Sequence, residues 1–332
     1  MSDLFIDMVY GHEQATLMLS KAVTSQSVPQ SLLITGLPQL GKATLAKALA
    51  MALNCRQATP PCGHCLDCRK VNGGHHPDVI ILDSPHESLS IEQIRTLQRD
   101  LTLRPHEGRY KVAVLTNFER ATAAAANALL KTLEEPPAHA ILILTSLDPT
   151  LLLPTIVSRC QIIPLRPISE AKIAELLVTR WQATSDQAQL LSRLSQGRLG
   201  WSVQVLTEPD LLTQRNQYLE DLVQLSQTGY AARLDYANRL AGKESPVGEV
   251  LSIWLAWWRD VLLVSQGQEE AVINIDQLAH LTWFARQLSA RQVIAVIQQN
   301  MAALKNLNYN VNLRLNIEVL LLNLPFIASV RV

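Results

Sequence analysis

The chain has 332 residues, 48% apolar, 17% charged and 5% aromatic. Lys plus Arg and Asp plus Glu each number 29, so the formal net charge is zero. This length suits roughly two or three domains and folds without disulfides. The apolar content excludes a disordered chain, and the neutral balance argues against a protein that grips nucleic acid mainly through its own basic field.

The N-terminus carries no cationic segment followed by an apolar run, so no secretory signal is expected. No stretch reaches the ~18 uninterrupted apolar residues of a membrane span. Arg259 and Asp260 break the segment from Ile253 to Val264, and Asn323 and Pro325 break the last one. The expectation is a cytoplasmic protein.

The first predicted strand is Ser31 to Thr35, a continuous apolar run of the kind covered on both faces. Gly36-Leu37-Pro38-Gln39-Leu40-Gly41-Lys42-Ala43-Thr44 follows it and opens a predicted helix from Lys42 to Leu53. This is G-x-x-x-x-G-K in its required context. Gly36 and Gly41 let backbone N–H groups wrap phosphates, the helix N-terminus favours anions, and Lys42 pairs with terminal phosphate oxygens. The next position should carry a hydroxyl for Mg²⁺, yet it is Ala43. Thr44 stands one residue late, which on a helix means rotated by about 100°. ATP binding is therefore left open.

Next comes Cys55-x6-Cys62-x2-Cys65-x2-Cys68. Four thiolates at this spacing suit tetrahedral Zn²⁺, with Gly63 and Pro60-Pro61 in the turns. No ligand position is left over for water, so the expected role is structural. His64, His75 and His76 are nearby alternatives, read as loop or surface residues. Arg56, Arg69 and Lys70 are the cations around the module, which makes it a poor nucleic-acid contact.

The second strand is Val79 to Leu82, followed by a helix from Ser90 to Thr102. The third strand, Lys111 to Leu115, leads into Thr116-Asn117-Phe118-Glu119. A P-loop ATPase needs a Mg²⁺-holding carboxylate there, with a neighbour that orients water. Thr116 and Asn117 offer neither, and Glu119 reads as too far along to substitute. A helix from Thr122 to Leu133 ends in Glu134-Glu135-Pro136-Pro137. The acids could be a catalytic pair, but the prolines favour a helix end. Strands follow at Ala140 to Thr145 and Cys160 to Pro164, with Ser158-Arg159 between them. Thr145-Ser146 could position water or cap the strand end. Alternating strand and helix predicts an α/β domain with a parallel sheet.

After Pro164 and Pro167 the pattern becomes helical. Ser169 opens one helix with a hydroxyl cap, Asp186 to Ser195 forms a second, and Gly200 to Leu206 a third. Long helices continue beyond Pro209, with breaks at Gly229, Gly242 to Pro246 and Gly267. Trp254, Trp257 and Trp258 are either helix core or a surface for partner subunits. The run from Lys305 to Arg314, with Asn306, Asn308, Asn310 and Asn312, is a polar edge or a subunit contact. The expected organisation is an α/β domain over 1–165 with the zinc module at 55–68, a helical lid over 166–208, and an all-α domain over 209–332.

Together these motifs resemble the clamp-loader branch of the AAA+ family, in the pattern of bacterial DNA polymerase III. The marks are Phe5-Ile6-Asp7-Met8-Val9-Tyr10-Gly11-His12-Glu13, the phosphate loop, the inserted cysteines, Leu133-Glu134-Glu135-Pro136-Pro137 and Ser158-Arg159-Cys160. The resemblance covers residues 1 to 165. It implies a P-loop fold, a lid, and a C-terminal collar that joins subunits.

Two kinds of subunit share the pattern: an ATP-driven motor (gamma/tau) and a non-hydrolysing delta-prime. The motor has Asp-Glu where this chain has Thr116-Asn117, a hydroxyl where it has Ala43, and a lid arginine where it has Gly200, unless Arg198 stands in. These departures favour the delta-prime branch, as does Ser158-Arg159-Cys160. The resemblance makes Arg159 an arginine finger for a neighbour's ATP. It implies gamma/tau and delta subunits as partners, with the sliding clamp and primed DNA reached through the complex. An ATP-hydrolysing motor with Thr44 on Mg²⁺, and a zinc-dependent nucleic-acid binder, are the competing readings.

Overall fold

The structure is a computed structural model that describes residues 5, 8–83, 88–242, 245–307, 309 and 311–327. Ile6 and Asp7 of the N-terminal motif, and Asn308 and Asn310, lie outside the described residues. The chain divides into two compact units, Met1–Glu175 with Gly197–Trp201, and Leu176–Gln196 with Ser202–Val332.

In the first unit α1 is Glu13–Thr24, β1 Ser31–Thr35, α2 Lys42–Asn54, α3 Leu66–Asn72, β2 Val79–Leu82 and α4 Ile91–Thr102. They are followed by β3 Lys111–Leu115, α5 Ala123–Glu134, β4 Ala140–Ser146, α6 Pro154–Val157 and β5 Gln161–Pro164. The five strands form one parallel sheet in the order β2-β3-β4-β1-β5. Leu33 of β1 registers against Leu144 of β4 and Ile162 of β5.

Strand side chains alternate between the two faces. Leu32, Ile34, Val112, Val114, Ile141 and Ile143 pack on one side with Leu19 of α1 and Leu45 and Leu49 of α2. Leu33, Ala113, Leu115, Leu142 and Leu144 pack on the other with Ile94 and Leu97 of α4 and Leu129 of α5. Both faces are covered over β1, β3 and β4, which read as apolar runs, whereas the edge strand β5 leaves Gln161, Ile162 and Pro164 exposed. Local chemistry sets the helix starts. Ser90 and Gln93 close a capping box on α4, and Thr122 accepts the Ala125 N–H to open α5. The result is an α/β P-loop arrangement, with the phosphate loop at the C-terminal end of β1 and β5 at a sheet edge.

The helix α7, Glu170–Trp181, begins in the first unit and ends in the second. The remaining helices are α8 Ser185–Leu194, α9 Leu199–Thr207, α10 Asp210–Gln227, α11 Tyr230–Leu240 and α12 Val247–Ser265, then α13 Leu278–Gln287, α14 Ala290–Asn306 and α15 Leu313–Leu322. No strand occurs among the described residues of the second unit. Gly229 is the N-cap of α11, and Gly267, at φ +70°, turns the chain after α12.

Trp254, Trp257 and Trp258 are at most 1% exposed, so all three belong to the core. Trp257 meets Phe284 edge-on at 4.5 Å between ring centroids and Trp258 at 4.9 Å. Buried Arg233 donates to the carbonyls of Leu225, Thr228, Leu321, Leu324 and Pro325. One cation thereby satisfies the C-terminal ends of α10 and α15. No described helix is long and apolar enough to cross a membrane.

Candidate functional site: a phosphate loop, a cysteine knuckle and an exposed arginine

The phosphate loop runs from the end of β1 into α2, and Gly41 enters the helix at φ +93°, where a side chain would be strained. Lys42 is buried, and its Nζ donates to Gly36 O at 2.5 Å and Leu37 O at 2.8 Å. Burial pulls the Lys42 pKa below its ordinary value, and the Glu119 carboxylate pushes the other way. Glu119, distant along the sequence, is therefore an anion that Lys42 feels. Thr44 and Ala43 are both exposed.

The loop is held from two further directions. The buried His12 ring places Nε2 2.7 Å from Leu40 O. Burial lowers the His12 pKa, so the neutral tautomer with Nε2–H fits that bond. Gly200, at the start of α9, donates its N–H to Gln39 O at 3.0 Å. A Cβ at position 200 would stand 2.7 Å from that same oxygen. Glycine is required for this approach, so a larger residue at position 200 would displace the loop contact.

Past β3, Thr116 is buried and its hydroxyl donates to the Asp83 carboxylate. Asn117 adopts φ +50° and donates its N–H to Thr145 Oγ1 at 3.0 Å. Thr145 therefore serves the turn after β3. Ser146 Oγ donates to Asp148 O.

The cysteine module forms a knuckle. The four Sγ atoms of Cys55, Cys62, Cys65 and Cys68 lie within 4.8 Å of one another. Cys55 to Cys65 and Cys62 to Cys68 are each 3.9 Å between sulfurs. Tetrahedral zinc with Zn–S near 2.3 Å needs edges of roughly 3.8 Å, so the donor set fits the ion.

Backbone N–H groups of Cys65 and Cys68 point at Cys62 Sγ (3.3 Å) and Cys65 Sγ (3.4 Å). Burial opposes thiolate at Cys62, but N–H groups of Cys65 and His64 outweigh it and lower its pKa to about 6. Burial raises Cys55 and Cys68. Gly63, at φ +74°, makes the turn. His64 faces Cys62 O, and His76 Nδ1 accepts the Asp78 N–H, so neither belongs to the sulfur cluster.

Arg159 lies just after α6 and before the edge strand β5, and it is exposed. Its Nη2 donates to Glu134 Oε1 at 2.6 Å, and its Nη1 to Thr155 O at 3.0 Å. Cys160 is partly buried against the sheet core, and burial raises its thiol to about 11. Sequence reasoning missed the Glu134 and His12 contacts. Each acts through a bond to a residue 25 or more positions away, and only the motif membership of both residues could have drawn attention to them.

The model for the DNA polymerase III delta subunit matches residues 11–169, and the model for the C-terminal part of that subunit matches residues 209–325. DNA polymerase III subunit delta-prime of Escherichia coli is 31% identical, over 80% of this chain and 79% of its own length. The chain belongs to the DNA polymerase III clamp-loader family, in its delta-prime branch.

A second delta-prime, from Bacillus subtilis, is 27% identical over 92% of this chain and 94% of its own length. The tau subunit of Salmonella typhimurium is 34% identical but spans only 59% of this chain and 31% of its own length. The tau/gamma subunit of Haemophilus influenzae is 26% identical over 96% of this chain and 49% of its own length, so the motor branch is related as well.

Proposed function

We propose that this chain is a non-hydrolysing subunit of the DNA polymerase III clamp loader that lends Arg159 to the ATP bound by a neighbouring gamma/tau subunit. With delta and gamma/tau it helps place the sliding clamp on primed DNA. The observation that carries this reading is an exposed Arg159 beside an edge strand, in a chain whose own phosphate loop is engaged by its own groups. Lys42 bonds the loop carbonyls, Gly200 bonds Gln39 O, and Thr116 and Asn117 stand where a motor needs acids.

A guanidinium reaching a γ-phosphate stabilises transition-state charge, and such a finger accelerates turnover by on the order of 10³–10⁵ in strong cases. Cys55, Cys62, Cys65 and Cys68 would hold a structural Zn²⁺, which fixes the knuckle without an open coordination site.

The test is reconstitution with gamma/tau and delta. Arg159→Ala is expected to leave assembly intact while lowering ATPase and clamp-loading rates, whereas Lys42→Ala in this chain leaves both unchanged. The isolated chain should hydrolyse no ATP. Turnover that survives gel filtration and vanishes in Lys42→Ala would favour the motor reading instead.

A further inference from the structure

We infer that Glu134 is a positioning residue for Arg159, clamping the guanidinium in the orientation it presents to a neighbouring subunit. This rests on the proposed finger role and adds a residue to it. The side chains are 34% and 50% exposed and make the Nη2–Oε1 contact at 2.6 Å. On the other side, Nη1 donates to Thr155 O at 3.0 Å and Ser158 Oγ at 3.4 Å.

Both terminal nitrogens are anchored by groups on two different elements, α5 and α6. Of the five N–H donors of a guanidinium, these contacts use three, and two remain for an incoming phosphate.

The placement of Glu134 supports a specific role. It is the last residue of α5, where the helix dipole disfavours an anion. An acid there is offset by the cation it holds. Exposed ion pairs contribute little to stability, so the pair is poorly explained as a structural brace. An unanchored arginine carries large rotamer freedom that must be lost when it meets a phosphate, and pre-orienting it removes that loss before binding. A singly charged carboxylate competes weakly with a polyphosphate for the free donors, so the clamp does not block engagement.

The experiment uses the reconstituted loader with gamma/tau, delta, clamp and primed DNA, with steady-state ATPase as the readout. Glu134→Ala should lower kcat about three- to tenfold, with KM for ATP within twofold and the melting temperature of this chain unchanged. Glu134→Gln keeps an acceptor oxygen and should restore part of the lost kcat. In an Arg159→Ala background, Glu134→Ala should cause no further loss. A loader that responds to Arg159→Ala but not to Glu134→Ala, or whose losses multiply in the double variant, overturns the clamp alone. A loader indifferent to Arg159→Ala overturns the finger and the clamp together.

Discussion

Asp78→Asn should destabilise the part of the sheet where the edge strand β2 pairs with β3. Asp78 is fully buried immediately before β2. Its Oδ1 accepts the His106 N–H at 2.7 Å and pairs with Lys111 Nζ at 3.0 Å. Its Oδ2 accepts the Glu107 and Gly108 N–H groups, each at 2.7 Å. Asparagine has one oxygen, so either amide orientation strands two donors.

Orphaned buried donors cost about 1–3 kcal/mol each, and breaking a buried ion pair about 3–5 in all, so a loss of roughly 3–4 kcal/mol is expected. At about 1.4 kcal/mol per tenfold, amides of residues 79–82 and 111–115 should exchange on the order of 10²–10³ faster. Hydrogen-exchange mass spectrometry of the full chain reads this directly.

The pH dependence has a fixed sign. Burial alone would raise the Asp78 pKa, but the N–H groups of Gly108, His106 and Glu107 with Lys111 hold it well below the ordinary 3.8. The native pKa is depressed, so the stabilisation is complete above the unfolded value and is lost as pH falls through about 4 toward the native one. The gap between wild type and variant in urea midpoint should be full at about pH 6 and should narrow below about pH 4. Exchange rates within threefold of wild type at neutral pH would refute this account of how the loop before β3 is held.

Three further outcomes are expected. Trp257→Ala should destabilise the second unit by about 3–5 kcal/mol in urea unfolding followed by tryptophan fluorescence, since the ring is fully buried against Phe284. Trp257→Phe should cost less, because the indole N–H has no hydrogen-bond partner to lose. Elemental analysis of freshly reduced protein should find near one zinc per chain, and chelation should raise exchange in residues 55–68, while Cys62→Ser should lower zinc content. Cys160, with its thiol near 11 rather than 9, should react with iodoacetamide at pH 8 about a hundredfold more slowly than a free thiol, as read by peptide mapping.

Much of the first unit was legible because its signals are local. Apolar runs marked the strands, and the helical stretches were bounded at Ser90 and Thr122, whose hydroxyls cap α4 and α5. Cysteine spacing announced the knuckle, since sulfurs three positions apart on a tight turn already converge. The phosphate loop and its missing hydroxyl were likewise visible residue by residue.

Other features needed the folded chain. The three tryptophans could have served core or interface, and only packing against Phe284 and its neighbours decided for core, because helical spacing alone does not say what covers each face. The acids at 134 and 135 read as a helix end. Glu134 gained its contact with Arg159 when β4 and α6 brought residues 25 apart in sequence together. Nothing local in the sequence singled out Asp78 or Arg233, and His12 stood out only through its motif, yet each satisfies backbone groups from distant segments.

What the sequence determined by itself was the five strands, helices α2, α4 and α5, the metal-type donor set and a phosphate loop without its usual hydroxyl, all properties of neighbours along the chain. What only the tertiary structure decided was which charges meet. A hydrogen bond or ion pair depends on positions within a few tenths of an ångström, and residues far apart in sequence reach those positions only when the sheet and helices have packed.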